Sequence, residues 1–206
     1  MVIDPNDMLN SILKSLDRID YIKPEDIPAI DLYMDQVTTF MESQLGSTKR
    51  HAEDKILTKT MINNYAKNNL LPPPIKKKYS KDHLLLLIFI YYFKNILSIN
   101  DIDKLLSPIC ENNFSKTTGL TLEDIYNEVF SLEKSQVRVL AKDIVAKFNI
   151  ATKTFENAPE DEADFLHYYT FICMLSFDVY VKKLMIEKLV DLLPEAEKAK
   201  KNRKES

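Results

Sequence analysis

The stretch LTKTMINNYAKNNLLPPPIKKKYS, residues 57–80, sets a Thr- and Asn-rich segment, three prolines and three consecutive lysines between apolar segments. Thr58 has the short oxygen-bearing side chain that caps a helix, and Met61, Ile62, Tyr65 and Ala66 recur behind it at helical spacing and face inward. Lys59, Thr60, Asn63, Asn64 and Lys67 fall on the other side of that helix. Pro72, Pro73 and Pro74 end it, since proline removes a backbone donor and restricts the residue before it. Beyond them Ser80 caps an apolar helix predicted from Lys81 to about Leu97. Its run LLLLIFIYYF, Leu84 to Phe93, falls short of the roughly 20 residues that span a bilayer and reads as a helix buried on most sides.

Charge is distributed unevenly around this stretch. From Lys49 to Lys81 nine basic residues stand against Glu53 and Asp54, a surplus of +7 in a chain whose net charge is −3. A charge run is commonly just a solvated face. One sign gathered on one surface is also what a nucleic-acid reader needs, because lysines displace counterions from phosphate while Asn and Thr can read base edges.

Only 2 glycines occur in 206 residues, so tight β-turns and Gly-rich phosphate loops have little to be built from, and an all-α chain is expected. Met8, Leu9, Ile12, Leu13, Leu16 and Ile19 share one face of an amphipathic arm over residues 6–19. Pro24 and Pro28 break the chain, and a helix follows from about Leu32 to Leu45, ended by Gly46. STKRHAEDK reads as a loop. Ser98 with Asp101 is a capping box opening a helix through Leu106, and Thr121 with Asp124 is another, before Leu122, Ile125, Tyr126, Val129 and Phe130. A helix carrying Val137, Leu140, Ile144, Val145 and Phe148 precedes the polar ENAPEDE hinge. A long aromatic-rich helix over 162–193 and a solvated tail complete the chain.

TKTMINNYAKNNLLPPP resembles the second helix of MerR-type regulators and the Gly-Leu-Leu-Pro that follows it, with Asn63, Asn64 and Tyr65 at the Arg-Tyr-Tyr positions and Asn69 at the turn glycine. KKYSKDHLLLLIFIYYFKNILSINDIDKLL is similar to the continuation of that family, the end of a wing followed by an apolar helix and a turn into the next. The whole chain resembles a bacterial family catalogued as domain of unknown function 1836, which shares LTKTMINNY, the proline run and KKYS. The resemblance implies an all-α fold with a MerR-like winged helix-turn-helix of minimal β-wing over residues 31–107. An N-terminal arm over 1–30 would precede it, and a C-terminal helical domain over 108–206 would serve dimerisation and sensing. Roughly a dozen residues separate the two helices where a helix-turn-helix uses a short turn.

On this reading the chain is a cytoplasmic transcription regulator that binds double-stranded DNA as a homodimer. Thr58, Lys59, Thr60, Asn63, Asn64 and Lys67 face the major groove beside Tyr65. Lys76, Lys77 and Lys78 neutralise phosphates, and Tyr79 packs or bonds the backbone at the end of the wing. The alternative is a protein–protein interaction module using the same basic face.

No catalytic residue, metal or cofactor is expected. His51, His83 and His167 are scattered and no P-loop or nucleophile motif occurs; Cys173 reads as a core thiol. In the aromatic stretch, Tyr168, Phe171, Ile172, Leu175, Val179, Leu184 and Leu189 read as core, with more apolar positions than one face holds. The surplus implies either packing within the chain or an isologous homodimer. A third reading makes Phe165, Tyr168, Tyr169, Phe171 and Phe177 the lining of a pocket for a small-molecule effector.

Overall fold

In a computed structural model that describes residues 5–16 and 21–194, the chain is mostly helical, with one two-stranded sheet among the described residues. The helices are α1 (Pro5–Leu16), α2 (Met34–Leu45), α3 (Lys59–Lys67), α4 (Lys81–Phe93), α5 (Ile99–Asn113), α6 (Leu122–Ser131), α7 (Glu133–Ala151) and α8 (Glu160–Leu192); the strands are β1 (Leu32–Tyr33) and β2 (Lys78–Tyr79). They form two compact units, one from residues 28–123 and 186–194, the other from 5–16, 21–27 and 124–185. Among the described residues no helix is long and apolar enough to cross a membrane.

The first unit is organised by α4, in which every residue from His83 to Ile90 is buried. An amphipathic helix would hide one stripe; a helix apolar all round needs cover on all sides. α5 and β2 pack against it. β2 pairs antiparallel with β1, Leu32 opposite Tyr79 and Tyr33 opposite Lys78, and β1 leads directly into α2. α2 buries Val37, Met41 and Leu45 and packs against α3, which buries Ile62 and Tyr65.

The long connection from α2 to α3 is pinned rather than looped out. Gly46 follows α2 in right-handed helical conformation and starts a 3-10 turn through Thr48, so its freedom at positive φ is not what ends the helix. Thr48 Oγ1 shares a short hydrogen bond with the Tyr91 hydroxyl, Lys49 pairs with Glu42, and Lys94 Nζ donates to the Ile56 carbonyl at 2.8 Å. Ile56 and Leu57 are buried.

α5 opens on the expected Ser98–Asp101 capping box but runs past Leu106 to Asn113. Pro108 lies inside it, because a proline in a helix forfeits one backbone bond and forces no stop when the flanking turns are otherwise held. Asn113 Nδ2 then bonds the Leu120 carbonyl at 2.8 Å and closes the loop before α6.

In the second unit α1 packs on α7, and Phe148, Ala151 and Phe171 form a core that Leu9, Ile12, Ile144 and Leu175 join. The Met8 and Leu16 side chains and Ile19, expected on the same face of the arm, lie outside the described residues. Tyr21, Tyr126 and Phe130 form an aromatic cluster, with the buried Tyr126 hydroxyl donating to the Ile22 carbonyl at 2.7 Å. Lys147 bridges Asp143 and Asp178 between α7 and α8. The expectation that α8 is mostly core needs correcting. Phe171 is buried and Tyr168 and Leu175 are half-buried, but Ile172, Val179, Leu184 and Leu189 are exposed, as is Cys173. Helical spacing counts apolar positions without showing that a partner covers them all.

His83 occupies the third position of α4, and its Nδ1 accepts the Ser80 backbone N–H at 3.0 Å, so the neutral ring carries its proton on Nε2. The ring stands edge-on between Tyr79 and Phe114, and buried Nε2 has no hydrogen-bond partner among the described residues. Burial holds the imidazole pKa below its ordinary 6.5; the Pro72 and Pro73 carbonyls and the Asp82 and Asp31 carboxylates oppose that shift without reversing it. The folded state therefore refuses a proton that the unfolded chain accepts once pH falls below about 6.5, and stability is lost in that direction. His83→Gln keeps an acceptor for the Ser80 N–H without the titration. Urea midpoints measured from pH 7.5 down to pH values below about 6 should fall less steeply for this variant than for the natural chain.

Candidate nucleic-acid interface

α3 begins where expected, with Thr58 Oγ1 accepting the Met61 N–H at 3.1 Å. It ends on Asn69 at φ 59, the left-handed conformation that asparagine tolerates, with the Leu70 N–H returning to the Tyr65 carbonyl at 2.9 Å. Leu70 and Leu71 are then buried, which holds the end of the helix in the core.

The burial pattern divides the expected contact residues into two groups. Lys59, Thr60, Asn63, Asn64 and Lys67 are all exposed and follow one another around one side of α3. Among the described residues the side-chain amides of Asn63 and Asn64 have no partner within the chain, so both can bond an outside group. Lys59 pairs with Asp35 in the first turn of α2; both are well exposed, so this contact is weak and exchangeable. Thr58 is half-buried and its hydroxyl is engaged in the cap.

Tyr65 and Tyr79 need correcting as contact residues. Both are buried, and burial raises both phenol pKa values. Each helps build the floor on which contact groups stand, Tyr79 by packing on His83 and by its register with Leu32.

Lys76, Lys77 and Lys78 lie in a hairpin, as the proline-stiffened basic stretch implied. Ile75 and Lys78 exchange both backbone hydrogen bonds, at 3.1 and 2.9 Å, leaving Lys76 and Lys77 as the two central residues with φ 49 and 65. Two successive left-handed residues make a turn of the kind that ordinarily carries Asn-Gly, because a β-carbon there crowds the backbone. Both lysine side chains are exposed at the tip. Lys78 is half-buried and its ammonium lies 5.2 Å from the Tyr33 ring centre. The proline run and the lysine triplet announced a turn here, but no glycine marked its type, and lysine is an unfavourable occupant.

Left-handed backbone at two successive lysines costs the folded state stability. Lys76→Asn with Lys77→Gly should therefore stabilise the chain, by about 1–2 kcal/mol, as a rise in the urea midpoint with unchanged slope. The same substitution removes two cations from the tip.

Arranged in this way, the unit presents cations and free amides on a helix and further cations on a turn, all suited to a polyanion with readable edges. Among the described residues no group of three or more His, Cys, Asp or Glu side chains is placed to hold a metal ion. No curated protein and no solved structure matches the chain. A family described as a domain of unknown function (DUF1836) matches residues 22–129, just over half of the chain and inclusive of every residue of this interface; the chain belongs to that family.

Proposed function

We propose that the protein is a sequence-specific, MerR-like winged-helix transcription regulator that binds double-stranded DNA as a homodimer, with α3 in the major groove and the Lys76–Lys77 tip on the phosphate backbone. The observation that carries this reading is the coincidence, within one unit, of the exposed Lys59, Thr60, Asn63, Asn64, Lys67 side of α3 and the strained lysine hairpin. Further support comes from the order of elements: a short strand before α2, a second helix packed on the first, and a hairpin whose returning strand pairs with the opening one. Lysines supply affinity through counterion release, and Asn63 and Asn64 supply discrimination, since an Asn amide can pair bidentately with an adenine edge. The pinned α2–α3 connection offers a physical account of how a long link can still hold two helices together.

The test is fluorescence anisotropy of the full-length protein against a duplex from upstream of its own gene and an unrelated duplex, over a salt series. Tighter binding to the first duplex is the expected result. Lys76→Ala with Lys77→Ala should weaken binding to both duplexes and flatten the slope of log affinity against log salt by roughly 1.8, two phosphate contacts at about 0.9 each. Asn63→Ala and Asn64→Ala should instead narrow the difference between the duplexes, by about 1–3 kcal/mol for each base edge that the amide no longer bonds. Equal or absent binding to both duplexes at low salt would transfer the basic face to the protein–protein reading.

A further inference from the structure

We propose that the side of α8 running from Glu162 to Lys183 is a self-pairing surface, on which a second copy of this chain lies antiparallel about a two-fold axis at Met174. This specifies the homodimer of the reading above and is independent of whether the protein binds DNA.

Residues 165, 169, 172, 176, 179 and 183 follow one another at alternating spacings of four and three, the seam of a coiled coil. They are Phe165, Tyr169, Ile172, Ser176, Val179 and Lys183, and each is exposed, Phe165 by 67%, Tyr169 by 56%, Ile172 by 59% and Val179 by 66%. Tyr180 widens the seam along one flank and is exposed to a similar degree. With about 150–250 Å² for a large aromatic side chain, these five apolar residues present on the order of 600 Å² per protomer, at the top of what a monomer ordinarily leaves uncovered. Doubled across a two-fold axis, that is about 1,200 Å², which reaches the range of stable specific interfaces.

The register follows from symmetry, size and charge. The seam reads at the same spacings in both directions from Met174, so antiparallel pairing sets Ile172 opposite Ser176, Tyr169 opposite Val179 and Phe165 against the stem of Lys183, large facing small in the two inner layers. Parallel pairing would set Tyr169 on Tyr169 and Lys183 on Lys183. Glu162 lies one turn before Phe165 on the same side, which brings it beside the partner's Lys183 at each end of the antiparallel pair and beside another Glu162 in the parallel one. Between these ends the seam carries no charge.

Sedimentation velocity of the full-length protein over a concentration series should show a dimer. Tyr169→Glu with Ile172→Glu alters only exposed side chains, so circular dichroism should stay unchanged while the dissociation constant rises at least about a hundredfold. Glu162→Lys and Lys183→Glu should each weaken the dimer roughly tenfold, and the two combined should restore it. In a Cys110→Ser chain, Cys173, exposed beside the seam and near the axis, should be joined to its copy by a short bismaleimide. A monomer at every concentration overturns self-pairing and leaves the face to a different partner. A dimer indifferent to the Tyr169 and Ile172 substitutions overturns this surface. Loss of the dimer in that variant without charge-swap rescue and without the Cys173 crosslink overturns the antiparallel register. Anisotropy of the same variants against DNA separates any of these outcomes from failure of the DNA-binding reading.

Discussion

The all-round burial of α4 is the constraint on which the first unit rests. A helix with Leu84 to Ile90 apolar in succession has no side to offer to water, so its neighbours must enclose it. β2 and α5 pack against it, and the α2–α3 connection is tied to it through Tyr91 and Lys94. The desolvated Lys94 ammonium, its pKa lowered by burial, is compensated by the Ile56 carbonyl and the Tyr91 ring face, which makes the tie specific to one path of the connection. His83 continues the same logic at the N-terminal end of the helix, capping it with one nitrogen and supporting Tyr79 with its ring.

What the core does not require, it leaves outside. α3 commits Ile62 and Tyr65 to packing and leaves its polar residues uncovered, so they cost the fold little and are available to a ligand. The hairpin is different, because left-handed lysines at 76 and 77 are unfavourable in the absence of any other demand. Together they describe a surface whose chemistry is not explained by stability alone.

α8 poses the converse problem. Its buried side joins Phe148 and Ala151 through Phe171, and the Lys147–Asp178 ion pair fixes its rotation against α7. That rotation leaves aromatic and β-branched residues facing water along a continuous seam. Such a seam is unfavourable to expose and is ordinarily retained because something covers it.

Much of the helical content was legible from local chemistry. Thr58, Ser80 and Ser98 stand at helix starts because a short polar side chain there satisfies backbone donors, and Asn69 takes the left-handed turn that its side chain tolerates. The exposed set on α3 follows from 3.6-residue periodicity, which relates neighbours on one helix without reference to anything else. Longer-range features were not legible. Tyr65 was legible as an inward position of α3, but Tyr79 has an amphipathic side chain that suits a contact surface or a core, and only the packing of β2 buried it. Nothing in the order of residues pairs Leu32 with Tyr79, brings α1 onto α7 or ties Ile56 to Lys94, since these contacts join segments distant along the chain. Likewise, periodicity marks the apolar positions of α8 but not which side finds a neighbour. The sequence by itself determined where helices start and which residues share a face, because those depend on interactions within a few residues; the tertiary structure alone decided which faces are covered, because burial depends on what the rest of the chain brings alongside.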